Sequence, residues 1–110
     1  MSKYHSRKTA VDGIVFDSAK EARRYVELKL LERAGKIRDL KLQPEFVLQP
    51  GFRKNGKTYR QIAYKADFSY FSVEEYKIII EDVKGLKTPV YCLKRKLYEY
   101  KYPDSEIREV

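Results

Sequence analysis

Residues Tyr76 to Gly85 read YKIIIEDVKG. Taken as a β-strand, this stretch alternates between two faces, because successive side chains of an extended chain point to opposite sides. Tyr76, Ile78, Ile80, Asp82 and Lys84 then share one face, while Lys77, Ile79, Glu81 and Val83 share the other. The apolar run ends in charge on both. An acid and a lysine two residues apart on one face stand at the strand end, beside whatever lies past the sheet. A solvated ion pair of small energetic consequence is one reading of that pair; a metal site is the other. Asp67, at the start of DFSYF in the preceding strand-like run, adds a second acid, so that two carboxylates and a lysine can converge.

The rest of the composition bounds the partners. The chain has 110 residues, 43% of them hydrophobic, with ten Tyr and five Phe, enough for one domain (1–110) with a single core and no disulfide or metal staple. There are 24 basic side chains against 16 acidic ones, a net charge of +8 and a pI near 9.5, a balance that favours polyanions. No apolar run is long enough to span a bilayer, so no membrane partner is expected. MSKYHSRK at the start is basic and has no apolar segment of the signal-peptide kind, and the lone Cys92 cannot form an intrachain disulfide. A soluble cytoplasmic protein is the expectation. His5 is the only histidine, which leaves no histidine cluster for zinc.

Along the chain, residues 1–8 read as a mobile basic arm. Asp12-Gly13 marks a turn before the apolar lead-in Ile14 to Phe16. Ser18-Ala19-Lys20-Glu21 is a capping box that opens a helix running to about Ala34 and closed by Gly35. Its apolar residues are spread too widely for one stripe, so it should be covered on more than one side. Glu21 heads a partly buried side of that helix, where capping and catalysis are both open roles. Ile37, Leu40 and Leu42 lead into a short strand at Phe46 to Leu48, closed by Pro50-Gly51. Arg53-Lys54-Asn55-Gly56-Lys57 is a basic hairpin turn, a strand follows from about Thr58 to Phe71, and the Tyr76 strand pairs back in an antiparallel meander. Thr88 and Pro89 start a second helix, for which Val90, Leu93, Leu97 and Tyr100 supply a core face. Ser105 to Val110 is a last strand. The crossover through the second helix is long enough to make the last two strands parallel, so the sheet should be mixed with helices covering it.

Magnesium takes oxygen ligands and keeps several waters, so one or two carboxylates plus a substrate phosphate suffice to place it. Asp67 and Asp82 would supply the carboxylates, the Val83 carbonyl a third oxygen, and Glu21 a further ligand or a hold on a bound water. Lys84 can orient that water or stabilise charge on phosphate. The expected DNA contacts are Arg7 and Lys8 in the basic arm, Arg53, Lys54 and Lys57 in the turn, and Lys87, Lys94 and Arg95 on the second helix.

In Glu21, Asp67 and Asp82-Val83-Lys84 the chain resembles the PD-(D/E)XK nuclease superfamily. The longer pattern DGIVFDSAKEARRY, GKIRDLKLQPEFVLQP, YKADFSYF, EDVKGLKT and YCLKRKL is similar to small phage and prophage proteins assigned to it. The resemblance implies an α/β (α+β) fold with a restriction-endonuclease-like αβββαβ core, a mixed central sheet flanked by helices. It implies a magnesium-dependent endodeoxyribonuclease, with manganese able to substitute, whose catalytic residues are Glu21, Asp67, Asp82 and Lys84. The small, basic, single-domain form also resembles phage Holliday-junction resolvases, which points to branched DNA as substrate and, because a four-way junction takes two symmetric cuts, to a homodimer. Two positions depart from the motif: Ala66 stands where its proline would be, and the acid of the triplet is Asp82, next to Glu81. Asp82 is preferred as ligand because it shares a face with Lys84; a bulge would reverse the choice. A non-catalytic nucleic-acid-binding module of the same fold, or a subunit that cuts only within a larger complex, are the alternatives.

Overall fold

Asp12 and Gly13 both take positive φ, 53° and 75°, as the two central residues of a type I′ turn must. They join β1 (Thr9–Val11) to β2 (Ile14–Phe16) in a short hairpin. The computed structural model describes residues 8–83 and 87–110. Helix α1 (Ala19–Arg33) begins where Ser18 Oγ accepts the Glu21 N–H at 3.0 Å, and it stops at Ala34, with Gly35 beyond it at φ 76°. The expectation that α1 is covered on several sides is not met. Its buried residues are Glu21, Ala22, Tyr25 and Leu28, which lie on one face, whereas Val26 and Leu30 are exposed. Among the described residues, the β1–β2 hairpin and the central sheet pack against it.

Seven strands follow: β3 (Ile37–Leu42), β4 (Glu45–Gln49), β5 (Phe52–Lys54), β6 (Lys57–Tyr59), β7 (Ile62–Lys65), β8 (Phe68–Ser72) and β9 (Lys77–Asp82). Helix α2 (Pro89–Lys101) and β10 (Ser105–Glu109) complete the chain. The central sheet has the order β10-β9-β8-β3, with β9 and β10 parallel and the other pairs antiparallel. It is the mixed sheet that the crossover length requires. Ile79, Phe68, Tyr70 and Ile37 pack toward α1, and Ile80 and Ile107 pack toward α2, so the protein is an α+β fold with a helix on each face.

Three readings of the sequence change. Ile37 to Leu42 is an edge strand of the central sheet and not a lead-in. A bulge between Arg38 and Lys41, with Asp39 at φ 57°, inserts one residue, which lets Ile37, Leu40 and Leu42 all reach the α1 core despite their uneven spacing. The run from Thr58 to Phe71 is three strands, β6, β7 and β8, and Phe46 to Leu48 belongs to β4, which pairs with β7 outside the central sheet. Tyr76 lies in the turn before β9 at φ 56°.

The second helix also turns out differently. Thr88 Oγ1 accepts the Tyr91 N–H at 3.1 Å and Pro89 opens the helix, but Val90, Leu93, Leu97 and Tyr100 are exposed, Tyr100 by 89%. The core face is Tyr91 and Tyr98, with Tyr102 beyond the helix end. Large rings bury more area than Val or Leu when each hydroxyl finds a partner. Here Tyr91 donates to Glu109 at 2.8 Å, Tyr98 pairs with Ser105 at 2.7 Å, and Phe46 stands edge-on to Tyr98 at 4.9 Å.

The β4–β7 pair runs on into β5–β6 as a two-stranded ribbon that turns at Asn55-Gly56, again with φ positive at both residues. Every residue from Gln49 to Ile62 is exposed. The radius of gyration is 16.0 Å, against about 13 Å for a compact domain of this length, and the projecting ribbon contributes to the excess.

Candidate active site

Phe68 pairs with Glu81 in the β8–β9 ladder. Asp67 and Asp82, each one residue further along its own strand, therefore emerge at the same end of the two middle strands. Asp67 is fixed there by three bonds: its Oδ2 accepts the Val83 N–H at 2.7 Å, its N–H donates to the Glu81 carbonyl at 3.1 Å, and its carbonyl accepts the Gln43 N–H at 2.9 Å. Its carboxylate is thus tied to the segment Glu81 to Val83. Both helices begin at this end of the sheet, α1 beside Leu42 and Asp67 and α2 beside Glu109, so their positive dipole ends favour anions there.

Glu81 and Asp82 are both 0% exposed, on opposite faces of β9. On the α1 face, the Glu81 carboxylate accepts Arg24 Nε at 2.7 Å, Arg24 Nη2 at 2.6 Å and the Tyr70 hydroxyl at 2.5 Å. A bidentate guanidinium and a phenol occupy it fully. Burial, then the bond to Glu81, pushes the Tyr70 hydroxyl well above its ordinary range. On the α2 face, Asp82 Oδ2 accepts the hydroxyl of Tyr64. The Tyr64 pKa is raised by burial first, then by that hydrogen bond and the Asp82 charge, with Asp67 contributing in the same direction. Asp67 thus acts electrostatically on a residue of the Asp82 face while lying at the rim of the other.

Glu21 and Asp67 line one pocket of about 160 Å³ with Ile14, Val15, Phe16, Leu42 and Gln43. The Glu21 N–H takes part in the cap, and its side chain, 5% exposed, is turned into the protein. Beside this, Val83 lies in a groove of about 260 Å³ walled by Lys20, Arg23, Arg24, Glu27 and Val110. A wider cleft of about 550 Å³, lined by Phe46, Ser69, Phe71 and Ile78 among others, holds none of the candidate catalytic residues. Among the described residues, no three His, Cys, Asp or Glu side chains are grouped closely enough to cage an ion unaided.

The sequence reading missed Tyr64, Arg24, Gln43, Lys20 and Arg23. The ARR run immediately after Glu21 was a usable signal for the cationic groove; nothing local marked Tyr64 as the partner of Asp82. Lys84 and Arg7 lie outside the described residues. Of the expected DNA contacts, Lys87 and Arg95 both pair with Glu109, at 2.8 and 2.7 Å, and hold its carboxylate down at about 2 together with the Tyr91 hydroxyl. Lys8 pairs with Asp17 at the surface, 3.7 Å away. Lys94 is half-buried on α2, and Arg53, Lys54 and Lys57 stand on the exposed ribbon.

An α+β chain with carboxylates gathered at one end of a mixed sheet is the class that these features define. Over residues 1–110 the chain matches the protein family described as "Protein of unknown function (DUF1064)", and it belongs to that family. No curated protein and no solved structure matches it. Among the described residues, no helix is long and apolar enough to cross a membrane.

Proposed function

We propose that the chain is a metal-dependent endodeoxyribonuclease of the PD-(D/E)XK kind that works as a homodimer on branched DNA. The observation that carries this reading is the tie between Asp67 and the Val83 amide, which holds one carboxylate at the strand end that Asp82 also reaches. Glu21 on the shared pocket wall supplies a third acid from the first helix.

The donor set is all oxygen, which suits magnesium or manganese over softer ions. Asp67, Asp82 and the Val83 carbonyl would hold the ion, with Glu21 in support. When bound, it supplies Lewis acidity toward the scissile phosphate. The chain's own groups do the remaining work. Tyr64 orients the Asp82 carboxylate, the Val83 amide orients that of Asp67, and Lys20 and Arg23 give the neighbouring groove the charge to receive a phosphodiester. Lys84 stabilises charge on the phosphate or orients the attacking water. Glu81, fully occupied by Arg24 and Tyr70, takes a structural part.

The complete burial of Asp82 favours a second reading, DNA binding without cleavage. Purified protein incubated with four-way junction, flap, linear duplex and single-stranded DNA, with and without magnesium, decides between them. Magnesium-dependent cuts, strongest on the junction, are expected. Binding with no cut on any substrate would establish the second reading.

A further inference from the structure

The ribbon's charge is unlike that of the body it projects from. From Phe46 to Ala66 the sequence contains Arg53, Lys54, Lys57, Arg60 and Lys65 and no Asp or Glu, in a chain with 16 acids. Several cations of the body stand against carboxylates: Arg24 on Glu81, Lys77 on Glu106, Arg108 on Glu75, Arg95 and Lys87 on Glu109. Solubility asks only for charges of both signs interspersed, so it does not explain an acid-free segment.

The register gives the ribbon tip two faces. Phe52 is paired with Tyr59 and Lys54 with Lys57 on one, and Arg53 with Thr58 on the other. Like charges directly opposite destabilise a strand pair, and Lys54 faces Lys57 next to the turn. The tip is held by neutral partners instead. Phe52 and Tyr59 stack at 4.7 Å with their rings 9° apart, the Lys57 ammonium lies 5.3 Å over the Tyr59 ring, and Arg53 donates to Thr58 Oγ1 at 2.8 Å and to the Gly56 carbonyl at 3.2 Å. The tip keeps its shape while its charge stays unneutralised by any carboxylate of its own segment.

We propose that the ribbon enters the major groove of B-form duplex DNA, with Lys54 and Lys57 reaching the phosphates that border it. The six residue steps from Gln49 to Asn55 span roughly 20 Å, and the two strands lie about 4.8 Å apart. The major groove of B-DNA, about 12 Å wide and 8.5 Å deep, admits a two-stranded ribbon. The deep, narrow major groove of A-form RNA does not. The inference rests on reading the chain as a nucleic-acid protein and adds where a duplex is gripped, but it is independent of cleavage.

Fluorescence anisotropy in EDTA, with a duplex of about 20 base pairs, tests it across a series of salt concentrations. Lys54→Ala/Lys57→Ala should lower affinity about tenfold or more and reduce the slope of log affinity against log salt by about 2. Its melting temperature should change little, since relief of the Lys54–Lys57 repulsion offsets loss of the Lys57 contact with the Tyr59 ring. Methyl green, a major-groove ligand, should compete and netropsin, a minor-groove ligand, should not; duplex RNA of the same sequence should bind more weakly and respond little to the substitutions. Wild-type affinity in the double variant would overturn the proposal, as would competition by netropsin alone, equal binding and equal sensitivity with duplex RNA, or a dimer that the double variant loses in sedimentation without DNA. Binding that depends on the ribbon without magnesium-dependent cutting would leave this inference standing and remove the nuclease reading. Cutting unaffected by the double variant would do the reverse.

Discussion

The two faces of the central sheet meet at the end of β9, where neighbouring acids have been given opposite surroundings. On the α1 face Glu81 is clamped by Arg24 and Tyr70, its two oxygens accepting three hydrogen bonds. On the α2 face Asp82 accepts the phenol of Tyr64, on which the Asp67 charge also acts, and its charge is felt by the Tyr91 hydroxyl. Equal burial therefore says nothing about role. A bidentate guanidinium with a phenol satisfies a carboxylate and fixes α1 to the sheet, whereas a phenol on its own orients an acid without cancelling its charge. The first holds a fold together, and the second is the surrounding that the proposed site requires for its acid.

The largest expected effects fall on the Asp82 side. Asp82→Asn or Asp67→Asn should lower cleavage about a thousandfold, on the scale of losing one preorganised electrostatic partner, with DNA binding kept or slightly tightened. Single-turnover cleavage and anisotropy on the same preparations measure this, and near-normal cutting by either variant takes that residue out of the site. On the other face, Glu81→Gln should cost stability of about 3 kcal/mol by leaving the half-buried Arg24 charge without its counter-charge and turning one acceptor oxygen into an amide NH2, with cleavage per folded molecule retained. Urea denaturation reads the cost. If Glu81→Gln abolishes cutting in a stable protein while Asp82→Asn does not, the two roles are reversed.

Glu21→Gln comes next: about a hundredfold loss of cleavage with thermal stability near normal, because glutamine keeps the capping capacity. A fall in melting temperature with unchanged activity per folded molecule would leave Glu21 as a cap alone. Tyr70→Phe should cost about 1 kcal/mol and nothing in cleavage, since Arg24 still holds Glu81. The smallest effect concerns acid. The Glu109 carboxyl is held at about 2 by hydrogen bonds from Lys87 and Tyr91 and by Arg95, and Glu106 at about 2 by Arg108 and Lys77. Both are depressed from the value of 4.5 that an ordinary glutamate has, so their contribution is complete above pH about 4.5 and is lost as pH falls toward about 2. Melting temperatures across that window should decline, and Glu109→Gln should flatten the decline.

Much of this was legible in the sequence because it is local. Ser18, Thr88-Pro89, Asp12-Gly13 and Asn55-Gly56 each act within four residues, and each does what its chemistry dictates. The alternation of Ile79, Ile80, Glu81 and Asp82 also holds, with Ile79 in the α1 core and Ile80 in the α2 core. Where a second element decides the outcome, the reading fails. The bulge at Asp39 broke the alternation that would have announced β3, and α2 carries two stripes at helical spacing, of which the tyrosines win only because Phe46, Ser105 and Glu109 come from elsewhere to meet them. The pairing of Tyr64 with Asp82 spans 18 positions in sequence and leaves no periodic trace.

The ribbon leaves from β3 and returns at β8, two strands already paired with each other through Leu42 and Phe68. Its base is built into the α2 core through Phe46, Leu48 and Tyr64, while Gln49 to Ile62 are all exposed. The outer portion is therefore a replaceable attachment on a fixed mount. Lengthening or shortening a surface hairpin changes the entropy of loop closure only logarithmically, so evolution or an engineer can exchange residues 50–61 for a ribbon of another reach and leave the sheet register and the carboxylate end as they are.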